Sequence, residues 1–482
     1  MRNYLLIIII IIFFAACVFP GKKEAAQTMP AICLSDTSRN ASSVYLTPDE
    51  KNNPVISWCE TDHAGKIFFY LSFLDTAAGK FYPPINIPVE QNASLHEEGM
   101  PKVAIKGNGS IVAVYEISSP TKENQWAGQV RYIQSFDKGK TWTSPHAVHA
   151  DTSAWGSHSF AAITRLSNGE IGACWLDQAF NYKKSGRPVK FASTHANEGF
   201  ANEVLVDSIA CECCRLAIAA SEHDKVSIVY RDIINDSIRD ISISTSFNNG
   251  QSFSIPTSFS DDYWNINGCP HNGPGLVNTQ DATYAVWFTG GVSRGVYYGE
   301  LNSSNTIVEK KQIAANGRNI QLSLLPDGSK VVVYSENVHE MDAVYSRIRI
   351  KKIENGKVYI GDITPKQAHA AYPVINTYGS NNIIVAWAES QRICYMLLKS
   401  FDITNEILTP VNPLENKLSN IVPLQIARST DPVCGMAIAD HAEGTTMAED
   451  TTMAEGKVIG FCSKHCKEKF LCEPHRYLGK IK

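Results

Sequence analysis

The sequence predicts an all-β fold, a β-propeller, followed by a small C-terminal α+β module. Three observations predict the propeller. A short β-branched run ending in Trp or Tyr recurs seven times, period-2 alternation dominates, and no convincing amphipathic helix appears before residue 430. The aromatics are Trp58, Tyr115, Trp175, Tyr230, Trp287, Tyr334 and Trp387, spaced 47 to 60 residues apart, which suits a four-stranded blade with modest loops. An acidic residue usually follows closely, as in Trp175-Leu176-Asp177 and Trp387-Ala388-Glu389. A second apolar run precedes each aromatic one, for example Lys102-Val103-Ala104 or Leu216-Ala217-Ile218. Turns such as Lys106-Gly107-Asn108-Gly109 join the two, as a hairpin requires. Seven copies predict seven blades, with six or eight as the alternative counts.

Bulk composition bounds the partners. With 44 Lys and Arg against 48 Asp and Glu, the net charge of −4 leaves no basic footprint and argues against nucleic acid. The length of 482 residues exceeds one ordinary compact domain.

At the N-terminus, Met1-Arg2-Asn3-Tyr4 is a short positive segment and Leu5 to Phe14 is unbroken apolar sequence. That run falls short of the roughly 20 residues a spanning helix needs, so it reads as a cleaved export signal. Phe14-Ala15-Ala16-Cys17 resembles a lipobox, which implies that Cys17 is lipidated; an ordinary signal with an incidental cysteine is the other reading. Residues 1–17 are then the signal, 18–40 a tether, 41–415 the propeller and 428–482 the C-terminal module. The expected location is the cell envelope, lipid-anchored and extracytoplasmic, facing the periplasm or the outer surface.

Two hairpins share a turn pattern. In Ser135-Phe136-Asp137-Lys138-Gly139-Lys140-Thr141-Trp142, the Asp side chain can tie down backbone N–H groups, Gly takes the positive-φ position and the aromatic packs beneath. Ser246 to Phe253 repeats the pattern with Asn248 for Asp and Phe253 for Trp. The pattern resembles the Asp-box, or BNR repeat, and makes residues 40–415 similar to the sialidase-type propellers. Members of that family use an arginine triad opened by an Arg-Ile-Pro element, with a Tyr/Glu nucleophile pair and an acid/base Asp. No Arg-Ile-Pro occurs here, and Arg215, Arg231, Arg239, Arg294 and Arg318 match no motif of the family. No catalytic residue is assigned, and the balance leans away from an enzyme.

Cysteines in an exported chain are disulfides, metal ligands or buried apolar residues. Cys211, Cys213 and Cys214 precede the first strand of one blade, and Cys269 with His271 precedes that of the next. In a propeller such loops gather around the mouth of the central channel, where His96, Glu97, Glu98, His158, Arg318 and His369 also arrive. Thiolates with an imidazole suit Cu(I) or Zn(II). A disulfide from Cys213 or Cys214 to Cys269 and a redox-active thiol pair stay open beside the metal site. The arrangement resembles a sialidase-like lipoprotein group with a Cys-x-Cys-Cys segment and a later Cys-Pro-x-Asn-Gly-Pro segment. Cys59 and Cys174, inside strand-like runs, are read as core; Cys33 and Cys394 receive no role.

After Pro423 the composition changes. Asp431-Pro432-Val433-Cys434-Gly435-Met436 is followed by Gly460-Phe461-Cys462-Ser463-Lys464-His465-Cys466 and by Glu473-Pro474-His475. Cys462 and Cys466, four apart, would share one helical face, with Cys434 arriving from a turn; a disulfide among them is the alternative. This segment closely resembles the YHS domain, a heavy-metal-binding unit of metal transporters and copper-handling proteins. The resemblance implies Cys434, Cys462 and Cys466 as ligands, with His465 and Cys472 as extra candidates. Thr445 to Asp450 is nearly duplicated by Thr451 to Gly456, and the added hexapeptide is expected to lengthen a surface loop.

The leading expectation is therefore a lipid-anchored extracytoplasmic binding protein for a soft transition metal, copper first and zinc second. It would serve tolerance or delivery to a metal-transport or metal-acceptor protein. The alternative is a glycan-directed propeller, either a divergent glycoside hydrolase or a carbohydrate-binding protein; an aromatic-lined surface with retained arginines would favour it.

Overall fold

The computed structural model describes residues 31–180, 185–266, 268, 270–340, 343–399, 409–410, 450–454, 457–461, 469–470 and 477. Seven antiparallel sheets form seven blades. Blade 1 comprises Asn40–Pro48, Pro54–Thr61, Ile67–Asp75 and Lys80–Phe81, with Ile85–Ile87 also paired to the third strand. Blade 2 is Lys102–Ile105, Ile111–Ser118, Gly128–Ser135 and His146–Ala147; blade 3 is Ser159–Arg165, Ile171–Leu176, Arg187–His195 and Gly199–Ala210. Blade 4 is Ala217–Ala220, Val226–Arg231, Ile241–Ser246 and Thr257–Ser258; blade 5 is Gly275–Asn278, Thr283–Thr289, Gly295–Leu301 and Ile307–Ala314. Blade 6 is Gly317–Leu324, Lys330–Glu340, Ala343–Glu354 and Lys357–Asp362, extended by Thr409–Pro410. Blade 7 takes Ala370–Tyr378, Asn382–Glu389 and Arg392–Lys399, and its fourth strand comes from the other end of the propeller, Ile32–Cys33. First strands of consecutive blades neighbour one another all the way round, from blade 1 to blade 7 and back, so they line the channel.

The seven repeated aromatics sit on the second strands, and all are buried. Each belongs to a different apolar cluster between two consecutive blades, and in every case it faces the preceding blade. Trp58 faces blade 7, so the series closes on itself. A second strand is covered on both faces by its neighbours, so Ile171–Leu176 and Val226–Arg231 are buried along their whole length. That burial explains the continuous apolar runs.

The acid behind the aromatic has a physical reason as well. A buried indole N–H must find an acceptor. Trp58 Nε1 donates to Glu60 at 2.9 Å, Trp175 Nε1 to Asp177 at 2.9 Å and Trp387 Nε1 to Glu389 at 2.7 Å, two residues along the same strand. Two aromatics reach back toward the preceding blade instead: Trp287, whose position two along is Thr289, and Tyr230, whose Asp232 accepts from Ser242 Oγ. Trp287 Nε1 donates to Asp262 at 2.8 Å and the Tyr230 hydroxyl to Asp207 at 2.5 Å. The Asp-box turns behave as their sequence predicts. Asp137 accepts from the backbone of Lys140 and Thr141, Gly139 has φ +85°, and the Asn248 turn copies the arrangement with Gly250 at φ +85°. The Thr141 hydroxyl, then these backbone donors, hold the Asp137 carboxyl down to about 2.

Three expectations are revised. Residues 32–40, read as the end of the tether, reach into the propeller, because Ile32–Cys33 completes the last blade. Cys33 and Cys394, which had no assigned role, are directly opposed in that pairing and form a disulfide across 361 residues of sequence. The second copy of the duplicated hexapeptide is not simply loop: Asp450–Ala454 pairs antiparallel with Lys457–Phe461. Its Thr451-Thr452 pair has the β-branched stiffness that favours a strand. Cys59 and Cys174 are core residues as expected. Cys17, Cys269, Cys434, Cys462, Cys466 and Cys472 lie outside the described residues, and so does His465. Among the described residues, no helix is long and apolar enough to cross a membrane.

The closing disulfide yields the first prediction. A Cys33→Ser, Cys394→Ser double variant should fold but lose about 2–4 kcal/mol of stability. Urea unfolding of the variant and of the parent chain, with and without reductant, checks it; only the parent should respond to reduction at this bond.

Candidate functional site

Alternating strand direction puts two kinds of loop on one face of the ring, those leading into first strands and those joining second to third strands. The Asp-box turns, between third and fourth strands, lie on the opposite face. The lead-ins share a backbone device. Ser43, Phe160, His271, Asn319 and Tyr372, each at the start of a different blade, all have φ between +44° and +61°. In blades 1, 3, 6 and 7 the ladder register shifts beside this residue. Non-glycine residues rarely adopt this conformation, and its recurrence around one rim marks the mouth as the place where side chains are re-aimed.

A single carboxylate organises the mouth. Glu98, fully buried in the lead-in of blade 2, accepts from Arg215 N at 3.1 Å, Arg215 Nη1 at 3.0 Å and Gly273 N at 2.8 Å. It thereby ties together blades 2, 4 and 5. A Cβ on Gly273 would collide with Arg215, which explains the glycine in the Asn272-Gly273-Pro274 segment. More charge lies buried beside it. Burial pushes Glu116 up to about 7 and Lys102 down to about 8. Arg187 donates to Ser159 Oγ at 2.7 Å and to the carbonyls of Ser157, Leu176 and Asp177. Arg231 donates to the carbonyls of Arg239, Asn272 and Phe288 and lies 4.8 Å over the Trp264 ring.

The predicted cysteine trio converges here. Cys211, Cys213 and Cys214 are buried, their sulfurs all lie within 4.8 Å of one another, and Cys211 Sγ is 3.9 Å from Cys213 Sγ. None of the three is in a disulfide. Burial pushes the Cys214 thiol up. Their loop is pinned on each side: Cys211 N donates to Arg231 O at 2.9 Å, Glu212 accepts from Gly186 N at 2.6 Å, and Arg215 N reaches Glu98. Ile233, Phe160 and Ile209 pack against the thiols. Phe160 meets the His96 ring edge-on at 6.3 Å, and His96 lies 5.2 Å from the buried His271 ring. His271 thus joins the same corner through His96, while His369 sits at blade 7 against Tyr345. His96 Nδ1 accepts from Glu98 N at 3.2 Å.

His158 was expected at the mouth, but its pairing with His149 and Asp151 went unnoticed in the sequence. The rings of His149 and His158 stack at 3.6 Å, and His158 lies between Asp177, at 3.3 Å, and Asp151, at 3.7 Å. His149 accepts from Val130 N through Nε2 and donates Nδ1–H to the Asp151 carbonyl. Burial first, then the His158 charge, pushes His149 down to about 4. Although burial raises it, Asp177 is held well below the usual carboxylate range by His158, the Trp175 indole and Lys190. Only the Trp-x-Asp spacing hinted at Asp177.

The rim carries exposed rings and cations. Trp126, Trp155, Phe180 and Tyr263 are exposed on mouth-face loops of blades 2, 3 and 5. Arg294 and Arg318 approach each other at blades 5 and 6, and burial, then the Arg318 charge, pushes Arg294 down to about 10. Arg239 is buried, and its Nε and Nη1 meet no hydrogen-bond acceptor among the described residues.

Residues 61–293 match the BNR repeat-like domain family. No curated protein matches the chain in sequence. Among solved structures, the polysaccharide lyase Uly1 is similar with 11% identity and a TM-score of 0.46 over 80% of this chain and 94% of its own. A protein of unknown function from Dyadobacter fermentans is similar with 12% identity and a TM-score of 0.45 over 78% of this chain and 99% of its own. NanB sialidase from Streptococcus pneumoniae shows 9% identity and a TM-score of 0.42 over 78% of this chain and 70% of its own. No residue role is carried over from any of them.

The histidine stack predicts a pH dependence. The folded chain resists protonating His149 until about pH 4, whereas an unfolded histidine takes its proton near 6.5. Stability from this residue is present above pH 6.5 and is lost as pH falls through that window to about 4. Urea midpoints measured from pH 7 to 4 should fall more steeply for the parent than for His149→Asn.

Proposed function

We propose that this chain is an envelope-anchored, glycan-directed propeller whose mouth face binds an acidic glycan. The observation that carries this reading is the rim, where Trp126, Trp155, Phe180 and Tyr263 are exposed on the face that also holds Arg239, Arg294 and Arg318. Aromatic faces pack on the C–H surfaces of sugars, and guanidinium groups pair with carboxylates in a forked geometry. The BNR repeat-like match is in keeping with it. With no Arg-Ile-Pro element and no recognisable triad, the role is binding and not turnover, and we assign no catalytic residue.

The compartment belongs to the same proposal. The Cys33–Cys394 disulfide supports an oxidising environment, and the lipobox at Cys17 supports a lipid anchor facing the periplasm or the outer surface. We also propose that the YHS-like segment, through Cys434, Cys462 and Cys466, holds a soft metal, copper or zinc, for exchange with a metal-transport or acceptor protein. That places the metal reading, which the sequence puts first, beside the propeller's own task.

Retention of the full chain on immobilised uronate- or sialate-bearing glycans tests the main reading. Trp126→Ala and Arg294→Ala should each weaken retention at least tenfold, about 1.4 kcal/mol, and removing the sugar carboxylate should abolish the Arg294 effect. Indifference to both substitutions, or no retention on any acidic glycan, defeats the proposal. Turnover of a fluorogenic sialoside would make it an enzyme instead.

A further inference from the structure

We propose that Cys211, Cys213 and Cys214 form a three-thiolate site for Cu(I) at the channel mouth, a function beyond glycan binding and independent of the C-terminal module. The first argument is spacing. A metal bound about 2.3 Å from each of three sulfurs in one plane holds those sulfurs about 4 Å apart. Cys211 Sγ and Cys213 Sγ stand 3.9 Å apart, and all three sulfurs lie within 4.8 Å of one another. They are near enough to share an ion without a change of fold. The second is rigidity. The loop is tied before and after the trio, by Cys211 N to Arg231 O and by Arg215 to the buried Glu98, so little ordering is left for the ion to impose.

Charge and ligand type select the ion. Three thiolates with a monovalent cation leave a net charge of −2, which a buried site must offset. The Arg187 guanidinium acts electrostatically on Cys213 and that of Arg231 acts on Cys214, and both arginines are buried. Packing by Ile233, Phe160 and Ile209 brings no oxygen ligand, and the Glu212 carboxylate is engaged by Gly186 N. Hard cations are therefore disfavoured. Zn(II) asks for a fourth ligand in a structural site. Among the described residues the group offers three ligand atoms, all of them sulfur. Three-coordinate Cu(I) fits the trio as it stands. Each sulfur releases its proton to solvent as it takes the ion.

The test uses the full chain carrying Cys434→Ser, Cys462→Ser, Cys466→Ser and Cys472→Ser, purified anaerobically, so that the C-terminal sulfurs are silent. Cu(I) is added against a competing chelator, and X-ray absorption at the copper edge counts the neighbours. The expected result is one Cu(I) per chain with three sulfurs at about 2.3 Å, and at least a hundredfold weaker retention after a further Cys213→Ser. Fewer than three sulfur neighbours, tighter retention of Zn(II) than of Cu(I), or Cys211, Cys213 and Cys214 recovered as S–S bridges would overturn the site. Should Cys213→Ser fail to fold, the sulfur count in its parent decides alone. Glycan retention, measured on the same samples, reports on the mouth-face reading separately.

Discussion

Filling the wedge between neighbouring sheets is the constraint on which this molecule depends. Strand pairing runs within each blade, so consecutive blades are joined chiefly by apolar faces, and each gap receives one large ring from the blade that follows it. A ring that size brings a polar atom into the dry interior, and the acids at Glu60, Asp177 and Glu389 answer it from two positions along the same strand. Packing and polar satisfaction are thus one requirement, repeated around the circle.

That requirement is why so much of the architecture could be read in advance. The seven aromatics recur because seven gaps need filling, and their buried second strands lose the alternation that an exposed face would impose. The Asp-box turns were legible for a similar reason: Asp137 and Asn248 work within eight residues of their own loop. The cysteine trio was legible because its members fall within four consecutive residues. Its meeting with Phe160, His96 and His271 needed only the rule that lead-in loops converge at the mouth.

What stayed hidden depends on distance. Nothing near Cys33 or Cys394 announces a partner 361 residues away, and the short Ile32–Cys33 strand carries too little pattern to stand out from a polar tether. Glu98 looks like one acid in a polar stretch, yet it is fully buried because Arg215 and Gly273 reach it from two other blades. His149 and His158 form a stack although one belongs to the end of blade 2 and the other to the start of blade 3. The strand at Asp450–Ala454 was missed because a tandem repeat suggests slack, while its Thr pair favours extension.

The last blade, built from both ends of the propeller, has a consequence for how the chain comes into being. Synthesis proceeds from the N-terminus, so the strand that completes the circle emerges before any other strand of the ring and its neighbour, Arg392–Lys399, only after the first strands of all seven blades. Until then the nascent chain is an open arc with two raw, adhesive edges, and the thiol of Cys33 waits alone. Holding that arc apart from its siblings, and delaying oxidation until residue 394 arrives, becomes a task for the cell and not for the sequence.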